Sequence, residues 1–209
     1  MPDRSRPNLK ATALDPNLLK TPFNVQTNWH VITGAPSCGK TTLVDGLADQ
    51  GYQTVPESAR LYMEAEMAKG RNPQEIFEND DDERAMTDWQ RRVESELNPS
   101  DFLLLDRAMP DYLAWWRVHG MDPNEHLPDC FQHRYASVFI LDPLPFQSDE
   151  QRVQAVSEIM VFIGEWISRD YAALGYPIVR VPVLPIAERI AFVREALAER
   201  GFAKKPKSS

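Results

Sequence analysis

The stretch Gly34-Ala35-Pro36-Ser37-Cys38-Gly39-Lys40-Thr41 decides how this chain is read. Its spacing is G-x-x-x-x-G-K-[ST], the Walker A phosphate-binding loop. The two glycines let the backbone bend until its N–H groups approach phosphate oxygens. A helix opening at Lys40 aims its unsatisfied N–H groups and its dipole at the same anion. Lys40 can reach the β- and γ-phosphates, and the Thr41 hydroxyl can ligate Mg²⁺, so ATP and Mg²⁺ are the expected cofactors. The flanks agree with the motif. Trp29–Thr33 reads as a short apolar strand, and Lys40–Gln50 as a helix with Leu43, Val44, Leu47 and Ala48 on one face.

Outward from this loop, strand and helix alternate. Tyr52–Val55 reads as a second strand and Ser58–Lys69 as a helix stopped by Gly70. The acidic run Asp80-Asp81-Asp82-Glu83 opens another helix, where negative charge suits the dipole; a solvated helix start is preferred there over a metal site. Phe102–Asp106 and Ser137–Leu141 are continuous apolar runs, the form of buried parallel strands. A long helix over about 151–174, a fifth strand over 178–183 and a closing helix over 185–200 complete the pattern. Strands separated by helices predict an α/β fold with a five-stranded parallel sheet flanked by helices. Residues 1–28, polar and broken by prolines, are expected to form a partly disordered arm, residues 29–200 the P-loop domain, and 201–209 a basic tail.

Composition bounds the function. The chain has 209 residues, 31 Asp+Glu against 23 Lys+Arg, a net charge of −8 and 43% hydrophobic residues. That suits one globular domain and argues against a general nucleic-acid binder. No apolar run is long enough to span a membrane, and the N-terminus lacks an apolar signal region. With only Cys38 and Cys130, a reducing, cytoplasmic setting is expected. Guanine-reading N-K-x-D, transporter LSGGQ, zinc-binding H-E-x-x-H and G-x-S-x-G segments are all missing.

Asp106 ends an apolar strand, the Walker B form, and would hold Mg²⁺ with Thr41. Glu57 follows the second strand, so it lies at the carboxyl rim where ligands of open α/β sheets bind. It could accept a proton from a phosphate acceptor or organise Mg²⁺; a plain first-turn acid is the competing reading. Arg60 and Arg107 could hold the acceptor or make ion pairs of little energetic weight. Arg152 could neutralise charge over the phosphates or be a solvated helix-start residue. Tyr112, Trp115 and Trp116 are an aromatic wall or core packing. Cys38 reads as a tolerated loop position and Cys130 as a small apolar filler.

The segments ITGAPSCGKTTL, GYQTVPESAR, FLLLDRAMPDYLAW, SVFILDPLPF and GYPIVRVPVLPIAERIAFV together resemble the NadR-like AAA-type P-loop family over about residues 29–200. The resemblance implies a nucleoside-kinase-like core with strand order 2-3-1-4-5. It implies that Gly34 to Thr42 (Gly34, Ala35, Pro36, Ser37, Cys38, Gly39, Lys40, Thr41, Thr42) bind the ATP phosphates and that Thr41 and Asp106 handle Mg²⁺. It further implies that Glu57 lies near the acceptor, that Arg107 is the Arg of an Asp-Arg pair, that Arg152 is a lid arginine, and that Arg180–Ile186 pass near the base of ATP. Pro36 and Cys38 depart from the small residues usual inside the loop. The function expected on this basis is ATP- and Mg-dependent phosphoryl transfer to a small nucleoside-like acceptor. The alternative is an ATP/GTP-binding regulatory NTPase with slow hydrolysis and a protein partner.

Overall fold

The fold was analysed in a computed structural model that describes residues 11–144 and 153–202, with 153–157 as backbone only. Five strands form one sheet: β1 (Trp29–Gly34), β2 (Thr54–Val55), β3 (Leu103–Asp106), β4 (Ser137–Leu141) and β5 (Ile178–Val181). All pairings are parallel and the order is β2-β3-β1-β4-β5. This is the expected 2-3-1-4-5 arrangement. Every residue of β1, β3 and β4 is buried, which is why those segments read as unbroken apolar runs. β5 ends at Val181, two residues earlier than the sequence pattern extends it, because Pro182 has no N–H to continue a ladder.

The helices are α1 (Lys40–Asp49), α2 (Ser58–Ala68), α3 (Pro73–Phe77), α4 (Asp80–Glu96), α5 (Asp111–Val118), α6 (Pro123–His126), α7 (Val153–Ala173) and α8 (Ile186–Glu199). α3 and α6 are not marked by apolar periodicity. Each is instead opened by an Asn or Asp cap followed by proline, with the Asn72 and Asp122 carboxamide and carboxylate accepting from Gln74 N and Asn124 N. One core lies on the α1 and α8 side of the sheet, around Leu43, Leu47, Phe139 and Val193. The larger lies on the other, around Trp29, Leu113, Ile163 and Tyr171.

Residues 11–28 are tied to this second face, although the sequence reading sets all of 1–28 aside as an arm. Leu14 is buried in the larger core. Val25–Gln26 pair in parallel with His133–Arg134. The Phe23 ring stands 5.2 Å from Phe131 and 5.6 Å from Tyr176, with the Arg134 guanidinium 4.6 Å above it. The expected tail also begins differently: Phe202 packs edge-on to His30, 4.7 Å between ring centroids.

The acidic run is divided by burial. Asp80 and Asp81 are exposed, whereas Asp82 and Glu83 are buried. Asp82 accepts a bidentate pair from Arg71, both at 2.6 Å, and the Tyr62 hydroxyl at 2.6 Å. The Arg71 hydrogen bond, against the cost of burial, holds the Asp82 carboxyl below its ordinary range.

A buried ion pair joins the arm to α5 and α7. Arg117, 0% exposed, donates to both Asp170 oxygens at 2.7 and 3.0 Å and through Nε to the Thr12 carbonyl at 2.8 Å. Removing one partner strands a buried charge. Arg117→Ala should therefore lower unfolding free energy by about 3–5 kcal/mol in denaturant titration and expose residues 11–16 to proteolysis; loss of stability under about 1 kcal/mol would refute this role.

Candidate active site

The phosphate loop connects β1 to α1. Gly34 has φ +143°, and a Cβ there would lie 2.9 Å from the Leu141 carbonyl oxygen. Only glycine fits, so the first motif glycine is demanded by β4 as well as by the turn. Gly39, at φ +88°, is the left-handed residue before α1. Ser37 also takes positive φ, 61°. Pro36 is half-buried and lines the cavity beside the loop, and Cys38 is wholly buried in the α1/α8 core. The Cys38 carbonyl accepts from Arg189 Nη1 at 2.9 Å, so α8 braces the loop from behind.

Lys40 is 5% exposed and donates to the Ala35 and Gly34 carbonyls at 2.8 and 3.3 Å. Burial, reinforced by Arg107, holds its ammonium below the usual pKa. Thr41 Oγ1 donates to Asp106 Oδ2 at 3.3 Å, which joins the Walker A hydroxyl to the Walker B carboxylate. Among the described residues, Asp106 Oδ1 is buried without a hydrogen-bond partner. Burial, then Glu57, pushes the Asp106 carboxyl up to about 6. An orphaned carboxylate oxygen beside a hydroxyl is a hard-oxygen donor set. It fits Mg²⁺, which takes one or two carboxylates and completes its shell with water and phosphate. Thr42, exposed at the next position, lines the same cavity.

Arg107 organises the acidic side. It too has positive φ, 70°, a strained value for a residue with a side chain. It is 4% exposed. Its Nε donates to Glu57 Oε1 at 2.6 Å, and Nη1 to Asp111 Oδ1 at 3.0 Å and to the Gly34 carbonyl at 3.2 Å. Burial opposes its charge, but Glu57, Asp111 and Asp106 outweigh that and raise its proton affinity. Arg107 is thus neither a surface ion pair nor a free cation; it holds Glu57 at the end of the sheet, where β2 delivers it. Arg60, by contrast, is exposed and pairs with Glu64 at 2.9 Å along α2, while also lining the cavity. Arg152 lies outside the described residues. Arg180 lies 3.7 Å from Asp142 and lines a separate cavity beside α7.

Glu57, Lys40, Thr41 and Arg107 border a cavity of about 710 Å³, whose other walls come from α2 to α5. Met63, Met86, Phe77, Tyr112, Trp115 and Glu83 contribute there. Tyr112 and Trp115 therefore form part of a wall. Trp116 is core, stacked on His126 at 5.5 Å and donating to Thr87 Oγ1 at 2.9 Å.

Three residues of this region carry weight that the sequence reading does not assign. Asp111 is 0% exposed and accepts from Arg107, from Ala108 N at 3.2 Å, from the Tyr171 hydroxyl at 2.7 Å and from Thr33 Oγ1. Its signal is the acid that follows Pro110 five residues after Asp106. Arg189 lies in the quoted VPVLPIAER run. Glu83 hides within the acidic run.

Two substitutions test this geometry. Asp111→Ala leaves Arg107 without its inner partner and should cost about 3–5 kcal/mol of stability, read by denaturant unfolding; a cost below about 1 kcal/mol would contradict the network. Glu83 is fully buried, and burial, then Asp80, pushes its carboxyl up to about 8 from 4.5. The folded chain keeps a proton that the unfolded chain loses, so stability should fall as pH rises from 4.5 to 8. Glu83→Gln should remove part of that fall in thermal melts taken across the window. Parallel wild-type and variant curves would show that Glu83 does not titrate this way.

Known proteins agree with this geometry at the level of fold. No curated protein sequence matches the chain. Among solved structures, the NadR protein in complex with NR superposes with TM-score 0.60 and 21% identity over 88% of this chain and 53% of that one. NadR in complex with NAD and AMP-PNP gives TM-score 0.60, 20% identity, 88% and 52%. Thymidylate kinase from Candida albicans gives TM-score 0.55, 12% identity, 88% and 96%. The chain thus spans about half the length of the NadR chains it matches. These likenesses show the fold, a P-loop NTPase. A family model described as AAA domain matches residues 29–189, more than half of the sequence, and the chain belongs to the AAA domain family.

Proposed function

We propose that the protein transfers the γ-phosphoryl group of ATP, with Mg²⁺, to a hydroxyl of a small nucleoside-like acceptor. The observation that carries this reading is Glu57, fixed by Arg107 at 2.6 Å beside Lys40 and Thr41 on the border of a nucleoside-sized cavity. A hydrolase needs no such second cavity walled by apolar side chains. The relatives in fold support the reading in kind: one NadR structure is a complex with NR, another a complex with NAD and AMP-PNP, and a third relative is a thymidylate kinase.

In this reading the loop N–H groups from Gly34 to Thr42 cradle the phosphates. Lys40 exchanges its two loop carbonyls for phosphate oxygens. Thr41 and Asp106 would hold Mg²⁺, which offsets phosphate charge when bound. Glu57 orients the acceptor hydroxyl and receives its proton as the acceptor oxygen bonds to the γ-phosphorus and the bond to ADP breaks. Arg107 keeps Glu57 aimed, and Arg60 and Arg152 are the further cations assigned to the acceptor and the phosphates.

ADP release in the presence of ATP and Mg²⁺, with and without a nucleoside panel, tests the reading. One nucleoside should raise turnover well above background, and Glu57→Gln should cut that rise by about 10²–10⁴-fold while leaving ATP affinity within about twofold. Lys40→Ala should abolish it. Turnover indifferent to every acceptor would transfer the protein to the regulatory-NTPase reading.

A further inference from the structure

The wall of the 710 Å³ cavity supplied by α4 and α5 carries two polar groups without partners. Among the described residues, Glu83, 3% exposed, has no hydrogen-bond partner for Oε1. Tyr112, 2% exposed, has none for its hydroxyl. Both side chains line the cavity. Their surroundings do not satisfy them: His119, whose Nδ1 lies 3.3 Å from Asp80 Oδ1, brings its Nε2 only to 3.7 Å from the other Glu83 oxygen, beyond hydrogen-bond reach. Buried polar atoms are almost always paired, and an unpaired one costs stability. The two stand on one cavity wall, beside the flat rings of Phe77 and Trp115, which are 6.0 Å apart and edge-on.

Resting on the kinase reading above, we propose that Glu83 and Tyr112 select the acceptor by its base, binding an exocyclic amino or amide N–H₂ group through the Glu83 carboxyl and the Tyr112 hydroxyl. The chemistry follows from the pair. A carboxyl oxygen accepts from an N–H. A phenol kept protonated, by burial first and then by Glu83 and Glu57, can donate to a ring nitrogen or carbonyl and also accept. An aromatic ring on the same wall suits stacking or edge contact with a flat base. A base lacking that N–H would leave Glu83 unpaired inside the complex, and buried polar groups discriminate strongly on that account. The groups facing Glu83 are His119 and Tyr112 from α5 and its C-terminal end, and Asp80 from its own helix.

Calorimetric binding to the full chain in the presence of a non-hydrolysable ATP analogue tests this. The probes are matched pairs that differ only in the amino or amide group: adenosine and purine riboside, cytidine and pyrimidin-2-one riboside, nicotinamide riboside and N-ribosylpyridinium. At least one amino- or amide-bearing member should bind tenfold or more tightly than its counterpart. Glu83→Ala and Tyr112→Phe should each shrink that ratio several-fold, with affinity for the ATP analogue unchanged. Glu83→Gln, which keeps the shape, guards against a folding defect. It should melt no lower than wild type, since it relieves a buried unpaired carboxyl. Equal binding within every pair, no binding by any probe, or a ratio that survives Glu83→Ala overturns the proposal. Selective binding without phosphoryl transfer would sink the kinase reading and leave this assignment standing.

Discussion

One buried guanidinium holds the site together. Arg107 sits at strained positive φ, immediately after the Walker B acid, and touches the first loop carbonyl, the acid after β2 and the acid that opens α5. A cation without water must be matched by anions, and here Glu57 and Asp111 flank it. Each partner is thereby fixed by the other's need. Asp111 is locked further by Tyr171 from α7 and Thr33 from β1, so the position of Glu57 is referred back to the centre of the sheet. Lys40 and Arg107 are like charges in one pocket, and burial first, then Arg107, lowers the proton affinity of Lys40. Three carboxylates, Glu57, Asp106 and Asp111, compensate them, and the surplus carboxylate is the one with an orphaned oxygen.

The phosphate loop is braced from several sides. β4 excludes any side chain at Gly34. α8 pins the Cys38 carbonyl through Arg189. α7 approaches so closely that a Cβ on Gly164 would meet the Ala35 side chain at 3.1 Å. Cys38 packs where loops of this kind usually carry a small residue, because its side chain turns into the α1/α8 core instead of toward the loop's concave surface. The two departures of the motif therefore leave its backbone geometry intact.

Much of this was readable in one dimension. The Walker A spacing, the apolar runs of β1, β3 and β4, and the acids Glu57 and Asp106 at strand ends all follow from local pattern, and the strand order followed from resemblance. What escaped reading depends on partners distant in sequence. Asp111 looks like an ordinary first-turn acid until Tyr171, 60 residues away, is seen to bond it. Glu83 looks like one more charge in an acidic run, because helix phase within that run, not composition, decides which residues turn inward. The segment 11–28 looks like a polar tail because its anchors are few and scattered: Leu14, Phe23 and a two-residue strand whose partner lies more than 100 residues on.

Stability and compliance are distributed unevenly over the molecule, and the distribution suits the two-substrate reaction proposed above. The face made by α5, α7 and residues 11–28 is stapled by Arg117–Asp170, by the Phe23, Phe131 and Tyr176 rings, and by a large core. On the opposite side of the acceptor cavity, α2 buries only Ser58. It rests on α4 through Tyr62, Asp82 and Arg71 and presents Met63 and Met67, side chains that adapt readily to a neighbour's shape. An element with so little buried apolar surface opens at low free energy. Phosphoryl transfer requires sub-ångström placement of the phosphates, whereas an acceptor must enter and leave. The rigid side carries the loop, Asp106, Arg107 and the α5 part of the cavity wall; the compliant side carries the α2 part. Glu57, which caps α2 and is tethered to Arg107, is where the two meet, so the carboxylate on which the proposed reaction relies is fixed from the rigid side.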